Sequence, residues 1–115
     1  MAAAKGSSVL SADDKKEDAK IRAVWNAMRS ALKAGNVNKT LDYFAEDAKD
    51  MYEYNFNLMK SHLDEISSSL SDIKLTWIGD GVAEYEMLGD YEGQRYNSLV
   101  RFVKDKNGIW KIKFF

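Results

Sequence analysis

Residues 98–114 read SLVRFVKDKNGIWKIKF, and this stretch decides the fold. Apolar and polar side chains alternate on both sides of Asn107 and Gly108, a dipeptide that favours tight β-turns. A period of two predicts two antiparallel strands joined as a hairpin. One register keeps the apolar side chains on a single face, whereas a slip by one residue mixes the faces. That register pairs Phe102 with Trp110, Val100 with Ile112, Ser98 with Phe114 and Arg101 with Lys111.

The same alternation extends back to residue 73, which predicts two more strands and lengthens the first strand of the hairpin. Residues 73–77 and 82–88 alternate, with Gly-Asp-Gly at residues 79–81 as a tight turn between them. A looser turn is predicted over residues 89–93, followed by a long strand over residues 94–104. Together with the last strand, these segments predict an antiparallel sheet of four strands.

The middle hairpin is expected to pair Tyr85 with Tyr96, which sets Glu86 opposite Arg95. Glu84 and Glu86 then point outward, and the aspartates mark strand starts or turns rather than strand interiors. The predicted inner face carries Tyr85, Met87, Tyr96, Val100, Phe102, Trp110, Ile112 and Phe114.

The N-terminal half shows the helical period instead. Ser11 is placed to cap a long first helix, Gly35 to end it, and Asn38 to cap a short second helix. The apolar stripe of the first helix comprises Ile21, Val24, Trp25, Met28, Ala31 and Leu32. A third helix is predicted over residues 48–70, and its stripe comprises Met51, Tyr54, Leu58, Met59, His62, Ile66 and Leu70. Tyr52 and Phe56 crowd that stripe, so we expect one of them to be exposed or to cover a partner.

These elements predict an α+β fold in which three N-terminal helices pack on a curved four-stranded antiparallel sheet. We expect residues 1–11 to be a flexible tail and residues 12–115 to be one domain. A long sheet curved around a long helix forms a half-open cone. The open end of such a cone is a predicted apolar pocket.

Bulk composition narrows the functional classes. A net charge of −1 gives no overall field to hold nucleic acid, and the absence of cysteine removes thiolate chemistry. No apolar run reaches the ~20 residues that span a bilayer, and no leader is visible. We therefore expect no nucleic acid, transmembrane segment, metal or cofactor. The sequence is compatible with the cytoplasm, and with the periplasm or export if a leader was removed.

Three stretches carry a family resemblance. Residues 21–28 read IRAVWNAM and are followed by LDYFAEDA at residues 41–48. Residues 78–86 read IGDGVAEYE, and residues 100–112 read VRFVKDKNGIWKI. Together these patterns resemble the nuclear transport factor 2-like superfamily, also called the cystatin-like or SnoaL-like roll. They are most similar to small bacterial members of unassigned function, which are often exported or lipid-anchored.

The resemblance implies a cone-shaped pocket and dimers that form through the outer sheet face. It implies no single activity, because the superfamily includes isomerases, dehydratases, cargo binders and accessory domains. The chain departs from the fuller pattern, since no strand is predicted between the second and third helices. This departure predicts a smaller sheet and a shallower pocket.

No residue is identified as catalytic, but five are candidates for ligand binding. His62 is the only histidine, and no serine or second histidine supports a triad. Ketosteroid-type isomerases place a strand carboxylate beside pocket tyrosines, and here only the inward tyrosines match. Each candidate has a structural alternative as a core or surface side chain. The candidates are Trp25, His62, Tyr85, Tyr96 and Trp110.

Three hypotheses follow. The first is a non-enzymatic domain that binds a small apolar ligand or serves as an accessory module. The second is an isomerase or dehydratase in which His62, Tyr85 and Tyr96 converge on one cavity. The third is an interaction module that dimerises through the outer sheet face, where an apolar patch is predicted from Leu99, Val103 and Ile109.

Overall fold

The computed structural model describes residues 10–91 and 93–115, without the side chains of Asp90, Tyr91, Arg95 and Tyr96. In this part of the chain the fold is α+β, with four α-helices and one open sheet of four antiparallel strands in the order β1-β2-β3-β4. The helices are α1 (Ala12–Lys33), α2 (Val37–Leu41), α3 (Lys49–Leu58) and α4 (Leu63–Ser69). The strands are β1 (Ile73–Gly79), β2 (Val82–Tyr91), β3 (Gln94–Lys104) and β4 (Trp110–Phe114). Most of the predicted tail lies outside the described residues, but Leu10 packs half-buried against the core.

Helix α1 forms as the sequence predicts. The Ser11 hydroxyl accepts a hydrogen bond from the Asp14 amide at 3.0 Å and caps the first turn. Gly35 follows the helix at φ +75°, a left-handed conformation that glycine adopts without strain. The predicted stripe faces the core: Val24 is half-buried, and the fully buried members are Ile21, Trp25, Met28, Ala31 and Leu32.

The segment after α1 is tied to the edge of the sheet. Asn36, rather than Asn38, caps α2, and its side chain accepts a hydrogen bond from the Lys39 amide at 3.1 Å. Phe44 then forms an isolated parallel bridge with Ile112. The sequence predicted no strand here, and this bridge adds a single residue pair beside β4.

The predicted third helix is broken at Met59, which adopts φ −107° and ψ 25°. Helices α3 and α4 flank this break, and the 3₁₀ turn Lys60–His62 joins them. The buried face of α3 also differs from the predicted stripe. Tyr52 and Phe56 are both buried against Phe44, with ring centroids 4.4 and 6.0 Å away. The expectation that one of the two would be exposed is therefore wrong, because both rings, one helical turn apart, pack on Phe44. Four members of the predicted stripe are exposed instead: Met51, Tyr54, Leu58 and Met59.

The middle hairpin has a different register from the predicted one. Tyr85 pairs with Val100 instead of Tyr96, and Glu86 pairs with Leu99 instead of Arg95. Strand β2 runs on to Tyr91, so residues predicted as a loose turn belong to the strand. Because the shift is an even number of residues, Tyr85 keeps its predicted inner face and is fully buried.

The closing turn is wider than the tight turn that the predicted register requires. The Asp105 carboxylate accepts hydrogen bonds from the amides of Asn107 and Ile109 at 2.8 and 3.0 Å, which stabilises a longer loop. Phe102 accordingly pairs with Ile112 rather than with Trp110. The inner face is nevertheless as predicted for Val100, Phe102, Trp110 and Ile112, which are all buried.

A bulge next to Arg101 changes the end of β4. Arg101 pairs with Phe114, and its guanidinium carbon lies 5.1 Å from the ring centroid. Phe114 was predicted to point inward, but it is half-buried beside Arg101, while Phe115 packs against the core instead. The predicted contact between Arg101 and Lys111 is replaced by an ion pair with Glu84 at 2.5 Å. Like charges across a strand pair are thereby avoided.

Candidate ligand-binding groove

Two of the predicted ligand-binding aromatic residues meet in the core. Trp25 and Tyr85 both lie edge-on to Phe102, at centroid distances of 6.3 and 5.5 Å. The Trp25 indole Nε1 also donates to the Ser71 backbone oxygen at 2.9 Å. Trp25 is 1% exposed and Tyr85 is 0% exposed, so both side chains fill the core.

The Tyr85 hydroxyl is occupied by a hydrogen bond to helix α1. It donates to Asp18 Oδ1 at 2.5 Å, and Arg22 Nε donates to the same carboxylate at 3.1 Å. Burial, reinforced by the hydrogen bond to Asp18, raises the pKa of Tyr85 far above its ordinary value. The phenol is therefore neutral at physiological pH and anchors α1 to β2.

His62 lies apart from this pair, in the turn between α3 and α4. It is exposed, and its Nδ1 atom lies 3.3 Å from Glu65 Oε1. The structure thus does not bring His62 together with Tyr85. The side chain of Tyr96 lies outside the described residues. Asp90 lies inside β2, contrary to the prediction that aspartates mark only starts and turns, and its side chain is likewise not described.

An aromatic cluster occupies the space between α3 and the end of the sheet. Tyr52 stacks on Phe115 at 5.3 Å, and Phe44 lies 6.0 Å from Phe115. The Tyr52 hydroxyl accepts a hydrogen bond from the Phe115 amide at 3.0 Å. These rings fill the region beneath α3, and the accessible apolar site lies elsewhere in the fold.

Such a site lies between α1 and the turn that precedes β4. Lys20 and Val24 form one wall, and Gly108, Ile109 and Trp110 form the other wall and the floor of a groove of about 270 Å³. Ile109 is 52% exposed, whereas Trp110 is buried. Trp110 is the one predicted ligand-binding residue that lines this groove. Ile109 was predicted on the outer sheet face, but the wider closing turn places it beside Val24 instead.

Charged side chains fix the orientation of the Trp110 indole. Its Nε1 donates to Glu17 Oε1 at 3.1 Å, and Lys104 Nζ lies 5.2 Å from its ring centroid. Glu17 also forms ion pairs with Lys104 at 2.7 Å and with Lys20 at 3.1 Å. Hydrogen bonds from Lys104, then Lys20 and Trp110, lower the pKa of Glu17 to about 2. Two ammonium groups against one carboxylate leave a surplus positive charge at the rim.

The spacing of residues on α1 indicates one wall of this groove, but the sequence analysis assigned Ile109 of the other wall to the outer sheet face. Glu17, Lys20 and Val24 are spaced i, i+3 and i+7, which places them along one edge of α1. Glu17 lies near the N-terminus of α1, where an acidic side chain suits the positive end of the helix dipole even without a partner such as Trp110. This spacing does not define which edge of α1 faces the closing turn, and the groove depends on that contact.

Comparison with known proteins adds no assignment: no protein-family model matches the chain, and no curated protein is significantly similar to it. In residues 10–91 and 93–115, no group of three or more His, Asp or Glu side chains is placed to hold a metal ion. None of the described helices has the length and apolar character needed to cross a bilayer.

Proposed function

We propose that this chain is a non-enzymatic binding domain of the nuclear transport factor 2-like type, and that it binds a small amphipathic anion in the groove over Trp110. The observation that carries the proposal is the apolar groove formed by Val24, Ile109 and Trp110. When a ligand covers the exposed part of Ile109 beside the buried indole, apolar surface is removed from water, and this burial favours binding. The fold proposal draws support from the helices that pack on one face of an open antiparallel sheet.

The size and charge of the groove define the ligand class. A volume of about 270 Å³ lies just below the usual range of ligand pockets, so it suits a short chain or a single ring. Lys20 lines the groove, and Glu17 neutralises only one of the two ammonium groups beside it. A ligand with an apolar body and one carboxylate matches both features.

Octanoate, titrated below its micelle concentration, tests this proposal, with octanol as the neutral ligand of equal chain length. We expect saturable NMR shifts at the amides of residues 20–24 and 108–110, with octanoate binding more tightly than octanol. Ile109→Asn should weaken octanoate binding about tenfold, because it removes the apolar wall.

Leu99→Asn is the matched control, since Leu99 is 45% exposed but lies on the outer sheet face. It should leave octanoate binding unchanged. Equal weakening by both substitutions, or shifts spread over the whole surface, would contradict a specific groove.

The enzymatic alternative draws less support from the geometry. An isomerase or dehydratase built on His62 and Tyr85 needs the two side chains in one cavity. His62 is exposed beside Glu65, and the Tyr85 hydroxyl is bound to Asp18 beneath α1.

A homodimer through the outer sheet face remains a second proposal. Leu88 and Leu99 are 44% and 45% exposed on neighbouring strands, and Val103 is half-buried nearby. Ile109 is no longer part of this patch. The Leu99→Asn variant serves here too: light scattering should show a dimer for the native chain and a monomer for the variant. A native monomer at high concentration would contradict the dimer.

A further inference from the structure

A second depression lies on the opposite edge of α1, where this helix meets α4. Its volume is about 200 Å³, and every side chain that lines it is polar: Asn26, Arg29, Ser30, Lys33 and Ser67. The four α1 residues are spaced i, i+3, i+4 and i+7, so they form one continuous edge of the helix. We call this depression the polar cleft.

The charge in the polar cleft is poorly compensated. Arg29 Nε is buried without a hydrogen-bond acceptor among the described residues. The nearest carboxylate is that of Asp72, which is 93% exposed and lies 3.8 Å from Arg29 Nη1, beyond hydrogen-bond distance. The described part of the chain offers Lys33 no ion-pair partner. Two cations therefore face one solvated acid.

The neutral side chains of the cleft add hydrogen-bond donors that could bind a ligand. Ser67 is the exception, because its hydroxyl donates to the Arg29 backbone oxygen at 2.8 Å and holds α4 against α1. Ser30 and Asn26 are both exposed and line the same space. A guanidinium, an ammonium, a hydroxyl and an amide together provide more donors than the two oxygens of a carboxylate can accept.

We propose that the polar cleft binds a phosphate group, held by Arg29 and Lys33 with Ser30 and Asn26 as further donors. A phosphate has three terminal oxygens and up to two negative charges, which match two cations and two neutral donors. The partly buried guanidinium, 28% exposed, interacts more strongly with an anion than a fully solvated one does. The site is separate from the groove over Trp110, because α1 lies between them.

Inorganic phosphate is the first probe, measured by NMR shifts and thermal stability against sodium chloride at equal ionic strength. We expect saturable shifts at residues 26–33 and 67 and a stabilisation that chloride does not reproduce. Lys33→Gln should weaken phosphate binding about tenfold or more, as the loss of one charged hydrogen bond does. Arg29→Gln should abolish it, although its folding must be checked because Arg29 is partly buried.

Lys16→Gln is the matched control, since Lys16 is an exposed lysine of the same helix outside the cleft. An equal loss of binding in Lys16→Gln and Lys33→Gln, or an equal effect of chloride, overturns the proposal. Glycerol 3-phosphate tests whether the bound phosphate belongs to a phosphorylated small molecule or is the free ion. Tighter binding of this ester identifies a phosphorylated small molecule, and equal binding identifies the free ion. Ile109→Asn should leave phosphate binding intact, so the phosphate proposal and the proposal for the groove over Trp110 are tested independently.

Discussion

The two edges of helix α1 carry similar cations but compensate them differently. On the edge that faces the closing turn, Lys20 is paired with Glu17, which also holds Lys104 and Trp110. On the edge that faces α4, Arg29 has only a distant exposed acid, and Lys33 has no described acid. The first edge therefore keeps an apolar groove with one surplus ammonium charge at its rim, whereas the second keeps two cations with a single distant acid. The comparison separates a groove for an anion with an apolar body from a cleft for a phosphate group.

Spacing along the helix explains why the second edge stays uncompensated. Arg22 has Asp18 four residues before it, and the two form an ion pair at 3.1 Å. The residue four before Arg29 is Trp25, which belongs to the core and cannot neutralise it. Arg29 therefore cannot form the i, i+4 ion pair that Arg22 forms, because the core stripe occupies the position four residues before it.

Trp25→Ala should have the largest effect, because it removes the anchor that positions both edges. Trp25 is 1% exposed and donates to the Ser71 backbone oxygen, so we expect a loss of about 3–5 kcal/mol in the free energy of unfolding. Urea denaturation measures it. Octanoate and phosphate binding should weaken together, because α1 forms one side of each site.

Trp25→Phe is the control that retains an aromatic ring and loses the hydrogen bond. It should cost clearly less than Trp25→Ala. If Trp25→Ala costs less than about 1 kcal/mol, the indole is not the anchor, and the two edges are held by other contacts.

Tyr85→Phe should have an intermediate effect on the free energy of unfolding, and it tests whether the two edges of α1 are independent. It removes the hydrogen bond to Asp18 but leaves Asp18 paired with Arg22, so we expect a loss of about 0.5–1.5 kcal/mol. The pKa of Tyr85 is raised in the folded state, so the unfolded tyrosine ionises first, and native stability falls as pH rises above about 10. The variant should lose less stability in that range.

Tyr54→Phe is the matched control, because Tyr54 is 66% exposed. It should change stability little at neutral pH. Phosphate binding should be the same in Tyr85→Phe and the native chain, since the hydroxyl contacts Asp18 and not the polar cleft. A weakened phosphate response would show that Asp18 and Arg29 are coupled along the edge.

The sequence predicted the α+β class and the α1 stripe, because both rest on local periodicity. It also predicted the inward positions of Tyr85, Met87, Val100, Phe102, Trp110 and Ile112, but it was wrong for Phe114. It failed where a long-range contact decides between two local solutions. The stripe of Met51, Tyr54 and Leu58 has a regular helical period, yet Tyr52 and Phe56 are buried because Phe44 is there to pack on. Nothing local to α3 reveals the position of Phe44.

The same limit applied to the candidate site. Trp110 could be identified from sequence because it is a large aromatic residue on the inner face of a strand. Its partner Glu17 could not, since the two residues lie at opposite ends of the chain. Ile109 was assigned to the wrong face because the Asp105 carboxylate widens a turn that Asn107 and Gly108 alone predict to be tight. The lack of an acidic partner for Arg29 and Lys33 within α1, by contrast, can be read from the sequence, because no acid lies three or four residues from either.

Glu17→Gln should have the smallest effect on neutral stability and would make the first edge resemble the second. The ion pairs of Glu17 involve lysines that are partly exposed, and such pairs contribute about 0–1 kcal/mol. The amide can still accept from the Trp110 indole, so the groove should keep its shape. With Lys20 and Lys104 no longer neutralised, octanoate should bind a few-fold more tightly, whereas octanol binding should not change.

The pH dependence of the stability of Glu17→Gln, compared with that of the native chain, measures what the Glu17 carboxylate contributes. The pKa of Glu17 is lowered from 4.5 to about 2 in the folded state, so on acidification the unfolded chain takes up this proton first. The contribution of Glu17 is therefore complete above about pH 4.5 and is lost as the pH falls towards 2. Urea denaturation across this range should show a shallower decline for Glu17→Gln than for the native chain. Parallel declines would mean that Glu17 is not held by Lys104 and Lys20 in solution, and the contrast between the two edges of α1 would then disappear.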